Sequence, residues 1–410
     1  MRAGRELRVL SVYEGFFTGG ARILHSDVVL GLGEGGQHHR VLSIHGEVHR
    51  EATRQRMEDD ACYRSLTSAG VGVTALGGTY AGEAATGFTG PDLAATARAM
   101  ADADLVLSLK EQPLALLNQA GLPRRPVVVC LHRSDPDNQG TALDDLKAAI
   151  ANGTVVACVC CAESTRDAYA AAGIPADLLH VIPNGVDLLR FRPDPVRRLA
   201  LRTALGIPET APVVVFAARY ATMKNVPLFL RAARKWLEGR PEGRVLMCGA
   251  GMTTANPMLR ADIAAAFDDG PEGLTAGLQL LGVRGDMETV YAAADVVALT
   301  STSGEAAPLC LIEGMMCGAV PVTTDVGDSA ALVSGLGLVT PPGPFAIALS
   351  WEAALAGRED FGAALGRSRE RFSRTRMIAA YGALIDRVHA VHAVQAGAGA
   401  AVPPPLPEPL

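Results

Sequence analysis

Short apolar runs alternate along the chain with longer stretches in which apolar side chains recur at helical spacing. Runs rich in Val, Leu and Ile without strict alternation are typical of strands buried on both faces of a parallel sheet. A first series of predicted strands comprises Leu7–Val12, Val41–Ile44, Val71–Leu76, Leu105–Leu109, Val127–Leu131 and Val155–Cys160. A second series comprises Val213–Ala218, Val245–Cys248, Leu278–Leu281, Val296–Leu299 and Val320–Thr323. The pattern predicts an α/β protein with two doubly wound parallel sheets.

A turn-rich segment at 182–187, which contains Pro183, Asn184 and Gly185, separates the two series. Near the C-terminus, the periodic apolar positions of 363–394 predict one or two helices. The Ala-, Gly- and Pro-rich end cannot bury an apolar face, and we predict that it is a disordered tail. The predicted parts are an N-terminal domain, a C-terminal domain, a terminal helix and the tail, at 1–185, 186–368, 369–395 and 396–410.

Composition agrees with this organisation. The 410 residues are enough for two domains, and 49% hydrophobic with 20% charged residues excludes general disorder. With 44 glycines and only 5% aromatic residues, the chain suits closely packed helix and sheet layers. A formal net charge of −6 argues against a broad nucleic-acid or anionic-membrane surface. Since no apolar stretch is long enough to span a bilayer and the N-terminus lacks a signal-like segment, we expect a cytoplasmic protein.

The eight cysteines lie mostly inside apolar runs, such as the run at 155–161. No two CxxC motifs stand at the spacing of a zinc site. We expect buried thiols in a reducing compartment and no metal centre.

Ligands of open parallel sheets bind beyond the carboxyl ends of the strands, so residues that follow each apolar run are the candidates for chemistry. After the first run, Gly19 and Gly20 precede a predicted helix, whose free backbone N–H groups can hold an anion. A simple tight turn explains these glycines equally well.

Arg219 and Lys224 follow the predicted strand Val213–Ala218. Two cations at a strand end can neutralise a diphosphate without a metal, because Arg binds phosphate oxygens bidentately and Lys adds a point charge. The alternative is a solvated charged loop. The buried character of the preceding strand favours the functional interpretation.

Two glutamates, Glu305 and Glu313, flank the predicted start of a helix after Val296–Leu299. Backbone amides at a helix N-terminus can face phosphate, while carboxylates accept hydrogen bonds from hydroxyls of a sugar or ribose. Eight helical residues span roughly 12 Å, so the two do not form an acid–base pair on one carbon. Either glutamate alone is more often a cap or a surface residue.

His132 follows Val127–Leu131 and can bind a substrate or transfer a proton, with Asp135 as its orienting group, although a lone His is more often structural. The glycines at 249 and 251 form a GxG that lacks the third glycine and acidic partner of a dinucleotide fingerprint, which argues against NAD.

Taken together, these motifs resemble family 4 of the retaining GT-B glycosyltransferases. The similarity covers nearly the whole chain and is most specific in the C-terminal half. It is carried by Asn184-Gly185-Val186-Asp187, Arg219 with Lys224, the segment 281–287, Ala294-Asp295, and Glu305-x7-Glu313 with the following 315–322 and Gly327-Asp328.

The resemblance implies two facing Rossmann-like domains, a nucleotide-sugar held mostly by the second, an acceptor held mostly by the first, and a final helix that crosses back to the first. It implies that Arg219 and Lys224 bind the diphosphate. It also implies that Glu313 binds the ribose and that Glu305 contacts the donor sugar. The implied catalytic residues are His132, beside the transferred sugar, Arg219, Lys224 and Glu305. The implied donor-binding residues are Gly19, Gly20, Arg219, Lys224, Gly251, Val283, Arg284, Glu305, Ala306, Ala307, Pro308, Leu309 and Glu313.

One departure concerns the loop after Glu305. The family often has Gly and then an aromatic or aliphatic residue there, whereas this chain has Ala306 and Ala307. Because Ala does not readily adopt the positive φ angles open to Gly, we expect an altered loop and an altered sugar preference.

The resulting hypothesis is transfer of a sugar from a UDP- or GDP-sugar to an acceptor with retention, by front-face attack and without a metal or other cofactor. The acceptor is expected to be a soluble small molecule, such as a natural-product intermediate. The candidate acceptor-binding residues are His25, Glu111, Arg133 and Asp135.

Several alternatives remain at this stage: assembly of cell-surface polysaccharide or glycolipid, a GT-B-like epimerase or phosphorylase, and a non-catalytic sugar-nucleotide-binding protein. No nucleic-acid or transmembrane partner is expected, and a homo-oligomer stays open.

Overall fold

The computed structural model describes residues 6–16, 19–50, 53–80, 87–268, 270–271 and 273–395. The chain divides into two compact units. Unit 1 comprises residues up to Asn184 together with those from Thr375 onward, and unit 2 comprises Gly185–Arg374. The predicted tail at 396–410 lies outside the described residues, as do Phe17 and Thr18, which precede the glycine pair.

Unit 1 contains a seven-stranded parallel sheet and a separate three-stranded sheet, in the orders β10-β9-β8-β7-β1-β2-β5 and β4-β3-β6. Their strands are β1 (Arg8–Tyr13), β2 (His38–Ser43), β3 (Glu47–Arg50), β4 (Thr53–Arg56), β5 (Gly72–Ala75), β6 (Thr79–Tyr80), β7 (Leu105–Leu109), β8 (Val127–Leu131), β9 (Val155–Cys160) and β10 (Leu179–Val181). The helices are α1 (Gly20–Glu34), α2 (Ala61–Ser68), α3 (Gly90–Ala101), α4 (Leu114–Leu117), α5 (Ala142–Ala151) and α6 (Glu163–Ala171).

Unit 2 contains a six-stranded parallel sheet in the order β13-β12-β11-β14-β15-β16. Its strands are β11 (Val213–Ala217), β12 (Arg244–Cys248), β13 (Leu278–Gly282), β14 (Val296–Leu299), β15 (Val320–Thr323) and β16 (Leu338–Val339). Its helices are α7 (Pro195–Ala204), α8 (Val226–Gly239), α9 (Pro257–Phe267), α10 (Met287–Ala293), α11 (Leu309–Met316), α12 (Ser329–Val333), α13 (Pro344–Ala356) and α14 (Arg358–Ser368). A last helix, α15, spans Arg374–Gln395.

The central strands are mostly apolar because helices cover both faces of each sheet. In β11, Val213 and Val215 pack into the core on one face, whereas Val214 and Phe216 pack into the core on the other. This alternation is the two-residue period of a strand, with apolar neighbours on both sides. The α/β prediction with two doubly wound sheets is therefore confirmed.

Every predicted strand is present, with ends displaced by at most three residues. The sequence pattern did not predict β3, β4, β6, β10 and β16. These strands are short, and the β3–β4 hairpin carries polar residues such as Glu47, His49, Arg54 and Arg56. Their pairing depends on partners elsewhere in the chain, which a local apolar pattern does not record.

Residues 369–374 belong to unit 2, although the predicted terminal helix began at 369. Phe372 is buried in the unit 2 core, and the Arg369 guanidinium donates to three backbone carbonyls of the same unit. From Thr375 the chain is part of unit 1, where Gly31 of α1 allows close approach of α15. A Cβ at Gly31 would collide with the Ile378 side chain.

All eight cysteines are free; six are buried and two are half-buried. Within the described part of the chain, no helix is both long and apolar enough to cross a membrane.

Candidate functional site

The carboxyl ends of β11, β14 and β15 bring three sequence-distant loops of unit 2 together. The Thr302 N–H donates to the Met223 carbonyl at 2.9 Å, which joins the loop after β14 to the loop after β11. The Asp328 N–H donates to the Ala306 carbonyl at 2.9 Å, which adds the loop after β15. These strands are neighbours in the sheet, so their carboxyl ends form one edge.

At this edge, the Lys224 ammonium forms an ion pair with the Glu305 carboxylate. The pair is largely buried, with side-chain exposures of 16% and 8%. The Ser301 hydroxyl donates to the same Glu305 oxygen at 2.5 Å. The Thr300 hydroxyl donates to the Lys224 carbonyl at 3.0 Å, which helps to position that residue. Two residues that the resemblance implied to be catalytic are thus in direct contact.

Arg219 lies at the start of the same loop, and its guanidinium is 4.0 Å from the Met223 sulfur. The following residue, Tyr220, donates its N–H to the Ala250 carbonyl at 2.7 Å. Gly249 is required at this contact, because a Cβ there would lie 2.0 Å from the Ala218 carbonyl oxygen. The cation loop and the glycine turn after β12 therefore pack together.

The segments 249–252 and 282–286, which carry the implied donor-binding residues Gly251, Val283 and Arg284, are also adjacent. The Gly249 N–H donates to the Gly282 carbonyl, and the Gly282 N–H donates to the Met252 carbonyl. Beyond them, Val283 is 67% exposed, and Arg284 forms two hydrogen bonds with the Asp286 carboxylate at 2.8 and 2.6 Å. Gly251, Val283 and Arg284 thus lie at one corner of the edge.

Helix α11 begins at Leu309, directly after Pro308, with no side-chain cap and no acidic residue in its first turn. Such an N-terminus favours a negative charge, because unsatisfied backbone N–H groups and the helix dipole point outward. The Cys310 thiol in this turn stays protonated, since burial raises its pKa to about 12.

The loop before α11 accommodates its two alanines without left-handed backbone. Ala306 and Ala307 are absent from the positive-φ residues, whereas Gly304 has φ 68°. Gly327, with φ 59°, packs against this loop so closely that a Cβ there would lie 2.2 Å from the Glu305 carbonyl oxygen. The expected alteration at Ala306 and Ala307 therefore does not take the form of strained φ angles.

Glu313 lies one turn into α11 and is half-buried. The buried Tyr291 hydroxyl hydrogen-bonds to its carboxylate; burial is the main reason why the pKa of this phenol lies well above its usual range. A neutral Tyr291 positions the Glu313 carboxylate, whose remaining acceptor capacity suits a diol such as ribose.

In unit 1, His132 follows β8 and Lys110 follows β7, the neighbouring strand. Burial, with a smaller contribution from the nearby Lys110 charge, lowers the pKa of His132 to about 3, so the imidazole is neutral. Lys110 has φ 71°, a left-handed conformation that is costly for a side chain with a Cβ. Backbone strain of this kind is often found at functional sites.

Asp135 does not orient His132. Its carboxylate instead receives two hydrogen bonds from the Arg133 guanidinium, each at 2.7 Å. Among the described residues, the His132 Nε2 atom is buried and has no hydrogen-bond partner. The predicted His132–Asp135 pair was therefore wrong, because the adjacent guanidinium binds both oxygens of the carboxylate in the bidentate geometry that Arg favours.

Glu111 is 1% exposed and accepts a hydrogen bond from the Gln139 side chain at 2.8 Å. Burial raises the pKa of this carboxyl, against the lowering effect of its hydrogen bonds. The Gln139 amide also contacts the Tyr169 hydroxyl at 3.0 Å. Glu111 thus anchors the loop after β8 and is set back from the surface where an acceptor was predicted to touch it.

His25 is also internal. It is 3% exposed, and its Nε2 lies 3.0 Å from the Ser11 hydroxyl. Burial lowers its pKa to about 3. Its position in the core of unit 1 fits a structural role. Gly19 and Gly20 lie at the start of α1, which has neither a side-chain cap nor an acidic first turn, as an anion site would require.

Some residues at these edges were not predicted: Ser301, Tyr291, Lys110 and Gln139. Ser301 is the second residue after a predicted strand, so its position could have been noticed. The others act through partners distant in sequence, and no local pattern marks them. No group of three or more His, Cys, Asp or Glu residues within the described ranges has the arrangement of a metal site.

Family models match both halves of the chain. The model described as Glycosyltransferase Family 4 matches residues 40–190, and the one described as Glycosyl transferases group 1 matches residues 211–355. The chain belongs to the family 4 glycosyltransferases. The predicted resemblance is confirmed, and the paired cations and glutamates of unit 2 lie within the group 1 match.

Curated relatives of this family 4 chain include two proteins named D-inositol 3-phosphate glycosyltransferase. The one from Saccharomonospora viridis is 34% identical over 40% of this chain and 39% of the relative. The one from Kineococcus radiotolerans is 34% identical over 43% of this chain and 42% of the relative. The match spans about two fifths of the length of these relatives.

Solved structures share the GT-B fold of this family 4 chain. Anabaena HepE in complex with UDP-glucose superposes with a TM-score of 0.76 at 20% identity, covering 93% of this chain and all of that chain. Sucrose-phosphate synthase from Thermosynechococcus elongatus has a TM-score of 0.68 at 18% identity, covering 94% and 100%. At these identities the likeness shows the fold.

Proposed function

We propose that this protein is a retaining glycosyltransferase that moves a sugar from a UDP-sugar to a hydroxyl of a small acceptor. The observation that carries the proposal is the edge of unit 2 at which Lys224, Glu305 and the uncapped N-terminus of α11 come together. A cation and outward-facing amides can bind the diphosphate of a nucleotide-sugar, and a carboxylate can accept hydrogen bonds from its hydroxyl groups. The fold likeness to HepE, solved with UDP and with UDP-glucose, supports UDP as the nucleotide.

In this proposal, Lys224 and Arg219 bind the diphosphate, and the α11 amides add further donors. These groups stabilise the charge that grows on the phosphate oxygen as its bond to the anomeric carbon breaks. Glu305 turns from Lys224 towards hydroxyls of the donor sugar, and Glu313 holds the ribose. No resident metal is needed for this charge stabilisation, and addition of EDTA is expected to leave the rate unchanged.

The acceptor attacks from the face on which the leaving group departs. Its oxygen bonds to the anomeric carbon while the bond from that carbon to the phosphate oxygen breaks, and the hydroxyl proton passes to a phosphate oxygen. This course needs no enzyme nucleophile, so the ion-paired Glu305 is not required to attack the sugar.

The acceptor is proposed to be a soluble polyol or sugar phosphate. The curated relatives named for D-inositol 3-phosphate support a polyol as the first class to test. A role in natural-product biosynthesis and a cytoplasmic location stay predictions.

The first experiment measures thermal unfolding of the full chain with UDP, GDP, UDP-glucose and GDP-mannose. A ligand present at 100 times its Kd stabilises the folded protein by about 2.7 kcal/mol. A shift with UDP and UDP-glucose, and none with GDP, is expected. A shift with neither nucleotide class would refute the donor site.

A second experiment follows UDP release and the product by mass spectrometry and anomeric NMR. Transfer predicts acceptor-dependent UDP release and a product with the anomeric configuration of the donor. Binding of UDP-sugar with no release for any acceptor would instead favour a non-catalytic binding protein, and an inverted product would exclude retention.

A further inference from the structure

Several buried polar atoms lack a hydrogen-bond partner among the described residues, and a group of them lies at one edge of the unit 1 sheet. They are both ring nitrogens of His45, Nε2 of His132 and the side-chain oxygen of Gln112. These residues follow β2, β8 and β7, whose carboxyl ends share this edge. Buried polar atoms are normally hydrogen-bonded, so unpartnered ones along the ligand-binding edge of a sheet indicate places where a ligand supplies the partner.

His45 is held firmly in place. Its backbone N–H donates to the Glu14 carbonyl at 3.0 Å, and its backbone carbonyl accepts from the Ser43 hydroxyl at 2.7 Å. Its ring packs against the Tyr80 ring, with 5.6 Å between the ring centroids and an interplanar angle of 67°. The residue is only 9% exposed. The imidazole is therefore preorganised, although none of these contacts uses a ring nitrogen.

The space beside the ring is bounded by glycine. A Cβ on Gly78 would lie 3.9 Å from His45 Nδ1, in ordinary contact. Because Gly78 has no side chain, the space next to His45 Nδ1 is less crowded than it would be with any larger residue at position 78.

The protonation state defines the ligand class. Burial lowers the pKa of His45, so the ring is neutral at physiological pH. A neutral imidazole offers one N–H donor and one acceptor nitrogen. This pair complements hydroxyl groups, which both donate and accept.

His45 and His132 follow strands that are three positions apart in the sheet. At about 4.8 Å per strand, their backbones are separated by roughly 14 Å. With this backbone separation, His45 suits a part of the acceptor away from the group beside His132.

We propose that His45 is a specificity-determining residue that binds a hydroxyl of a polyol acceptor at a distance from the reacting hydroxyl. The proposal rests on the proposed glycosyl transfer to a polyol and adds to it a residue that binds that acceptor. Since the contact is the same before and during the chemical step, His45 affects acceptor binding more than turnover.

The test compares His45→Phe, which keeps an aromatic ring without nitrogens, with His45→Gln, which keeps a donor and an acceptor. His38→Leu is the matched control, because His38 is exposed at the opposite end of the same strand. Steady-state rates are measured with UDP-glucose and three probes: myo-inositol, D-inositol 3-phosphate and glucose 6-phosphate. Thermal unfolding with and without UDP shows whether each variant is folded.

His45→Phe is expected to raise the acceptor KM at least tenfold, with kcat and the UDP-glucose KM changed less than threefold. His45→Gln should recover most of the affinity, and His38→Leu should match the wild type. Because His45→Phe removes two unpaired buried atoms, the free variant should unfold at the wild-type temperature or above it.

An acceptor KM within twofold of wild type for His45→Phe would overturn the proposal. So would a chain that binds UDP-glucose but transfers to none of the three polyols. A lower unfolding temperature for both His45 variants, with equal losses of kcat, would show a structural role instead. Failure of UDP and UDP-glucose to bind the wild type would be distinct, because it would refute the donor site itself.

Discussion

Replacing Lys224 by Met separates the stability role of the Lys224–Glu305 pair from its catalytic role. The substitution removes the ammonium from a carboxylate whose side chain is 8% exposed. The Ser301 hydroxyl bond to that carboxylate stays in place. Met has similar length and no charge, so the loop after β11 loses little packing.

Breaking one side of a buried ion pair typically costs about 3–5 kcal/mol, because the remaining charge is left in a poorly solvated site. We take the lower end, about 3 kcal/mol, since the Ser301 hydroxyl still donates to Glu305. For a domain of the size of unit 2, this corresponds to a fall in Tm of roughly 6–12 °C. Loss of a cation at the departing diphosphate is expected to lower kcat by about 10²–10³-fold.

The double variant Lys224→Met with Glu305→Gln is the decisive control. It removes both charges, so most of the lost stability should return, since neutral replacement of a buried pair is often tolerated. Activity should stay low, because neither the phosphate-binding cation nor the sugar-binding carboxylate is restored. Urea denaturation and steady-state kinetics on the same preparations measure both quantities.

If Lys224→Met kept kcat and the donor KM within threefold of wild type, Lys224 would have no catalytic role. If the double variant were less stable than Lys224→Met, the ion pair would not be the source of the stability change.

Three further substitutions test other parts of the structure. Asp295→Asn should lower the free energy of unfolding by about 3 kcal/mol in urea titrations, since this buried carboxylate binds three guanidinium groups; exposed Asp325→Asn should change it little. Gly327→Ala should raise the donor KM, because its Cβ would collide with the loop that carries Glu305, whereas Gly335→Ala carries similar backbone strain without a collision and should spare the KM. The pKa of His25 is about 3 in the folded protein, below its unfolded value of about 6.5. The neutral imidazole therefore favours the folded state fully above about pH 6.5. As the pH falls below that value, the free energy of unfolding decreases by up to about 1.4 kcal/mol per pH unit. His25→Gln should flatten the stability profile measured between pH 7 and 4.5; an unchanged slope would contradict the buried neutral imidazole.

Much of the fold could be predicted because buried parallel strands leave a strong local pattern. The run at 105–109 is apolar except for Ser108 and forms β7 with the predicted ends. The same pattern places functional residues, since the carboxyl edge of such a sheet is where ligands bind. Arg219, Lys224 and Glu305 were found in this way, and the structure brings the latter two into contact.

The sequence by itself determined the two parallel sheets, the family, and the edge of each sheet that carries the chemistry, because all of these follow from short-range periodicity and motif spacing. Only the tertiary structure decided which side chains pair. Lys224 meets Glu305 because β11 and β14 are neighbours, and Asp135 binds Arg133 instead of His132. Neither ring nitrogen of the buried His45 has a partner among the described residues. Such pairings depend on strand order and on which groups are buried away from water. Neither can be inferred from residues that are adjacent along the chain.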